Sequence, residues 1–194
     1  YAGSLSDIKA ARDLIETDES ISDAQKANQL AVLDIMESFV FQIVTDIWGD
    51  VPYSEALNPD EFVQPKYDTQ SSIYEELIDK VSSAIDAINT GEPGFSATSD
   101  IIYAGDMDSW QKFGNALLLR MGMRVSDANA SLASQAVTKA LNGNIIASIN
   151  DEAKLVFKDV DDIANPFWYD AAPVGGSRDD FRVSEELLSR LEAM

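Results

Sequence analysis

A strongly apolar stretch from about Ala24 to Trp48 runs without a breaker and then meets Gly49 and Pro52. Its length and period fit one helix, with Met36, Val40, Ile43 and Ile47 on one stripe and Leu33, Phe39 and Phe41 widening the apolar arc. A helix apolar over so much of its girth is expected to be central and buried. Gly49 offers the left-handed backbone that commonly ends a helix, and Pro52 forbids the helix from resuming. Pro59 and Pro65 then bracket a segment of about 20 residues without helical period, and loops of that length in compact domains are usually functional or disordered. Tyr53, Phe62 and Tyr67 argue for an ordered loop whose aromatics pin it to the helices behind.

The rest of the chain also reads as helices. Residues 5–16 place Leu5, Ile8, Ala11, Leu14 and Ile15 on one face of a short amphipathic helix. Asp68 or Thr69 can cap the next helix, in which Ile73, Leu77, Val81, Ala84 and Ile88 recur before Gly91 and Pro93 end it. Residues 92–108 form a second irregular stretch. Asp108 or Ser109 can cap the following helix, which carries Trp110 and Phe113 as core anchors, then Leu117, Met121 and Val125. Its opposite side holds Lys112, Arg120 and Arg124, and the two arginines read as partners of carboxylates on neighbouring helices. Residues 131–142 look helical, with Asn142, Gly143 and Asn144 as the stop. Ile145-Ile146 and Leu155-Val156-Phe157 fit minor strands or buried turns, too short to found a sheet. The expected class is all-α: tetratricopeptide-like antiparallel helix pairs with long loops and at most minor β. Residues 72–88 and 109–126 resemble tetratricopeptide helices in length and composition, without a clean repeat period.

Composition removes several chemistries. The 194 residues contain no histidine and no cysteine, which excludes zinc sites of the usual kind, thiol nucleophiles, Ser/His/Asp triads and any disulfide framework. No cofactor is expected. With 34 acidic and 14 basic residues the net charge is -20, which repels nucleic acid and anionic membrane surfaces. No apolar run is long enough to span a bilayer. The chain opens on Tyr1 and ends at Met194 inside an amphipathic pattern of Val183, Leu187, Leu188 and Leu191, as a piece of a longer polypeptide would.

Two loops combine flat aromatic faces with amides and carboxylates, the mixture that sugar recognition needs. The first holds Trp48, Asp50 and Tyr53, with Asn58 beyond; packing of a helix end is the competing explanation for Trp48. The second is Asn165-Pro166-Phe167-Trp168-Tyr169-Asp170, where three consecutive aromatics cannot all point inward, followed by the polar rim Gly175-Gly176-Ser177-Arg178. Trp168 and Tyr169 are the candidates there, and an interface with further protein is the alternative use of that patch. Asp159, Asp161 and Asp162 lack the glycine and terminal glutamate of a calcium loop and read as a solvated acidic turn. Glu75, Glu76 and Asp79 read as a solvated helix face. No pair of carboxylates sits in a recognisable glycosidase frame.

Three blocks, IWGDVPYSEAL at 47–57, PKYDTQSSIYEELIDKVSSAIDAI at 65–88 and DIIYAGDMDSWQKFGNALLLRMGMRVS at 100–126, resemble in order and spacing the SusD/RagB family of outer-membrane nutrient-binding lipoproteins. The resemblance extends from about residue 24 to 170. It implies a single SusD-like helical domain over 1–194, the N-terminal part of a longer protein, lipid-anchored at the outward-facing surface of the outer membrane. It further implies a non-catalytic role in nutrient uptake: capture of an oligosaccharide or peptide and delivery to a SusC-like TonB-dependent transporter. A helical-repeat module that binds a peptide or a protein is the alternative. The chain departs from the family in lacking the lipidated cysteine and in its short length, and the later half usually supplies much of the binding surface.

Overall fold

The computed structural model describes residues 2–157 and Ser189. Two compact units divide the chain, Tyr1–Lys154 and Leu155–Met194, and the described helices belong to the first apart from the helical residue Ser189. These are α1 (Ala2–Thr17), α2 (Asp23–Trp48), α3 (Gln70–Ala87), α4 (Met107–Arg124) and α5 (Ala130–Asn142), followed by a single 3-10 turn at Ile149–Asp151. Consecutive helices pack on one another, giving the all-α, tetratricopeptide-like array of helix pairs. Among the described residues the only β pairing is an isolated antiparallel bridge between Val51 and Asp68. Ile145-Ile146 and Leu155–Phe157 form neither strands nor buried turns, and the latter three are exposed.

Short polar side chains set the helix starts. Ser22, Thr69 and Asn129 accept from Gln25 N, Ser72 N and Leu132 N, satisfying first-turn N–H groups that have no partner inside the helix. Thr69, not Asp68, caps α3. The cap of α4 is Asp106, upstream of both expected candidates, because its carboxylate takes Asp108 N at 3.1 Å and Ser109 Oγ at 2.7 Å, which draws both residues into the first turn.

The stripe of α2 expected in the core is displaced. Ile43 and Ile47 are 40% and 63% exposed, and Met36 and Val40 are only partly buried. The buried seam instead runs Asn28, Ala31, Ile35, Ser38, Gln42 and Thr45, at alternating spacings of three and four. It tolerates polar residues because most find partners. Asn28 Nδ2 donates to Asn89 O, Glu92 O and Pro93 O at 3.0 to 3.1 Å, and its Oδ1 accepts Asn89 N at 2.8 Å. Thr45 Oγ1 donates to Gly49 O at 2.7 Å. Ser38 Oγ and Gln42 Oε1 lack a partner among the described residues. Gly114 opens room for close approach: a Cβ there would lie 2.9 Å from Ile85 Cγ1 and 3.0 Å from Ile35 Cδ1. Trp110 is a core anchor at 4% exposure, edge-on to Phe113, which packs against the core.

Candidate ligand-binding site

The loop after α2 is a built unit. Gly49 adopts φ +73° and donates its N–H to Thr45 O at 2.8 Å, which turns the chain out of the helix. The bridge of Asp68 N to Val51 O at 3.0 Å closes the loop on itself. Within it the Asp68 carboxylate accepts Ser54 N at 2.7 Å, Tyr53 N at 3.2 Å and Ser54 Oγ at 2.9 Å. Burial pushes the Asp68 pKa up, but these hydrogen bonds and nearby Lys66 outweigh that and hold it below its ordinary value. Glu55 Oε2 accepts Lys66 N at 2.9 Å, and Asn58 Nδ2 donates to Glu61 Oε2 at 2.7 Å. Leu57 adopts φ +62°, a conformation that such a residue keeps only when its surroundings impose it.

The structure places Trp48, Asp50 and Tyr53 at this loop in three different states. Trp48 is 59% exposed, so it does not continue the buried seam. Asp50 is exposed, and its Oδ1 accepts Gln70 N at 2.9 Å, tying the loop to the start of α3. Tyr53 is buried, edge-on to Phe41 with ring centroids 4.7 Å apart and with Lys80 Nζ 5.4 Å above its ring. Its ring is thus a packing element and not a free stacking face. Burial raises its hydroxyl pKa against the opposing pull of Lys80. Trp168, Tyr169, the Gly175–Arg178 rim and Asp159, Asp161 and Asp162 lie outside the described residues. The exposed aromatic that joins Trp48 on this loop is Tyr67, 72% exposed, which the bridge sets opposite Pro52. Tyr67 therefore does not pin the loop to the helices behind it as its aromatic character suggests; of the loop's three aromatics only Tyr53 is buried in that role.

Two cavities flank this region. One, of about 360 Å³, is lined by Leu5, Arg12, Glu37, Tyr53, Ser54 and Lys80. Arg12, Glu37 and Lys80 in its wall belong to one ion-pair network: Arg12 meets Asp34 at 2.6 Å and Glu37 at 3.1 Å, and Lys80 meets Glu37 at 2.8 Å. The other, of about 380 Å³, has Asp46, Tyr74 and Arg124 in its wall. Asp46 accepts from Gln42, from Tyr74 Oη at 2.6 Å and from Arg124 at 3.2 Å. Burial and Asp46 together push the Tyr74 hydroxyl up to about 12. Only one of the two arginines of α4 therefore finds the expected carboxylate. Arg120 lies 5.2 Å from the centre of the Phe39 ring and pairs with no carboxylate among the described residues, and burial plus neighbouring Arg124 lower its pKa. Among the described residues no cluster of carboxylates could hold a metal ion, and no helix is long and apolar enough to cross a membrane.

A family profile described as "Starch-binding associating with outer membrane" matches residues 1–194. The chain belongs to this SusD-like family, whose members are binding proteins and not enzymes. Among solved structures it is similar to a chitin-binding protein, with 32% identity and TM-score 0.66 over 77% of this chain and 30% of that one. It is also similar to a SusD homolog from Bacteroides uniformis, at 25% identity and TM-score 0.70, covering 87% of this chain and 33% of the other. A SusD-like protein of the Bacteroidetes matches at 28% identity and TM-score 0.68, over 82% and 28%. The chain thus spans about a third of the length of these structures. A search of curated proteins finds no significant match.

Proposed function

We propose that residues 1–194 form one SusD-like helical domain of a longer protein that captures an oligosaccharide without catalysis at the outward-facing surface of the outer membrane. The native protein is held there by a lipid anchor and delivers its ligand to a SusC-like TonB-dependent transporter. The observation that carries this reading is family membership across residues 1–194, and the likeness to a chitin-binding protein at 32% identity supports it. Locally, the exposed indole of Trp48 beside a loop stiffened by Asp68 suits stacking against a pyranose ring. Each such contact contributes about 0.5 to 1.5 kcal/mol, which gives reversible capture suited to release.

A second reading, a helical-repeat module for a peptide or protein, is favoured by the exposure of Ile43 and Ile47 on α2. Calorimetric titration of the chain with maltohexaose, hexa-N-acetylchitohexaose and a casein peptide mixture separates the two. Saturable heat with a sugar, reduced by Trp168→Ala, is the expected result. Silence toward both sugars with heat from the peptides would replace the first reading by the second.

A further inference from the structure

A groove of about 830 Å³ lies away from the loop, between α3, α4 and α5. We infer that this groove is a subsite for a neutral 2-acetamido sugar, an inference that rests on the glycan-binding reading above and names the sugar class.

Its walls are built of carboxamides. Gln111 and Asn115 stand one turn apart on α4, and Gln135 and Asn142 stand on the outer face of α5 with the hydroxyl of Thr138 between them. A primary carboxamide offers an N–H donor and a C=O acceptor side by side, the complement of the secondary amide that an acetamido group carries beside its ring hydroxyls. Much of this capacity is open. Among the described residues the side chains of Thr138 and Asn142 make no hydrogen bond, and Gln111 Nε2 reaches only Ile85 O at a long 3.4 Å. Asn115 is 2% exposed; its Nδ2 donates to Gln111 O at 3.1 Å and Asn144 O at 2.9 Å, while its Oδ1 accepts no donor among the described residues. Ile85 adds an apolar surface for the acetyl methyl.

Charge selects for neutrality. In a chain of net charge -20, the groove's two ionised residues cancel, because Lys139 pairs with Asp86 at 2.5 Å and also donates to Ser82 O at 2.9 Å. An anionic sugar finds no free cation there, and a cationic one finds no free carboxylate. The volume lies within the range of small-ligand pockets.

The test compares hexa-N-acetylchitohexaose with cellohexaose, which share their β-1,4 linkage and differ in the acetamido group. Calorimetry on the chain is expected to show at least about 10-fold tighter binding of the acetylated sugar, corresponding to about 1.4 kcal/mol. Gln135→Ala with Asn142→Ala, both at exposed positions, should erase that preference, and Thr138→Trp should block the groove with the same result. Circular dichroism verifies that each variant is folded, and perturbed backbone amide resonances of α5 locate the sugar. Equal affinity for the two sugars overturns the inference, as does a preference that survives both variants. Binding of maltohexaose alone overturns it too while leaving the glycan-binding reading intact, whereas silence toward all three sugars overturns both.

Discussion

Two long connections, residues 49–69 and 88–106, are each organised by one aspartate, yet they end up doing different work. Asp100 accepts Ile102 N and Tyr103 N at 3.0 Å, Gly105 N at 2.9 Å and the indole Nε1 of Trp110 at 2.7 Å. It is 7% exposed, and the indole contact welds its loop to the core. Asn28 clamps the start of that loop, and Tyr103 fastens its end by donating to Asp151 O at 3.0 Å. Gly105 is required there: at φ +86° an added Cβ would lie 2.5 Å from Phe95 O. Asp68 gathers a similar set of donors, but its partners Ser54 and Lys66 are exposed. The same device therefore completes the core in one loop and shapes a surface in the other. Large side chains remain outside on the surface loop, Val63 at 86% and Tyr67 at 72% exposure.

The sharpest way to break the comparison is to remove the two carboxylates in turn. Asp100→Ala leaves backbone and indole donors in a buried place, and each orphaned donor costs on the order of 1 kcal/mol. Urea denaturation should show a loss of about 3 kcal/mol. Asp68→Ala frees donors that water can reach, so its loss should stay near 1 kcal/mol while cleavage by trypsin after Lys66 accelerates. Equal losses from the two variants would mean that both loops are core elements.

Acid sharpens the same contrast. In both aspartates burial raises the pKa and the donated hydrogen bonds outweigh it, leaving each below the ordinary 3.8. A depressed folded-state pKa gives stability that is complete above the ordinary value and lost as pH falls through the folded one. Tryptophan fluorescence should therefore report an acid transition below pH 3.8, and Asp100→Ala should flatten it more than Asp68→Ala. An acid limb unchanged in both variants would assign the transition to other carboxylates.

How far the sequence goes toward this picture depends on which residues carry the signal. The breakers Gly49, Pro52, Gly91 and Pro93 and the periods of Ile73–Ile88 and Trp110–Val125 place the helices to within a few residues, because they act through the local backbone. The face of α2 is not legible that way. Its buried seam includes Asn28, Ser38, Gln42 and Thr45, whose burial is tolerated chiefly because distant partners such as Asn89 and Tyr74 receive their polar atoms. A count of apolar residues thus selects Ile43 and Ile47, which lie beside the seam and are turned out to solvent. At the candidate site the residue types are legible, but not their states. Nothing local distinguishes Tyr53, held against Phe41, from Trp48, left exposed; the difference arises where the loop folds back between Phe41 of α2 and Lys80 of α3.

That difference yields the smallest stability effect and the most direct functional one. With its side chain 59% exposed, Trp48 contributes little apolar burial, so Trp48→Ala should change stability by no more than about 0.5 kcal/mol. If the indole stacks on a sugar, the same substitution removes about 0.5 to 1.5 kcal/mol of binding, a weakening of about 2- to 12-fold in a calorimetric titration. The paired measurement matters because Tyr53→Ala lowers stability and affinity together by undoing the Phe41 contact. A Trp48→Ala protein that is both as stable and as tightly bound as the parent would confine the surface loop to a scaffolding role, and capture would then have to rest on another face of the domain.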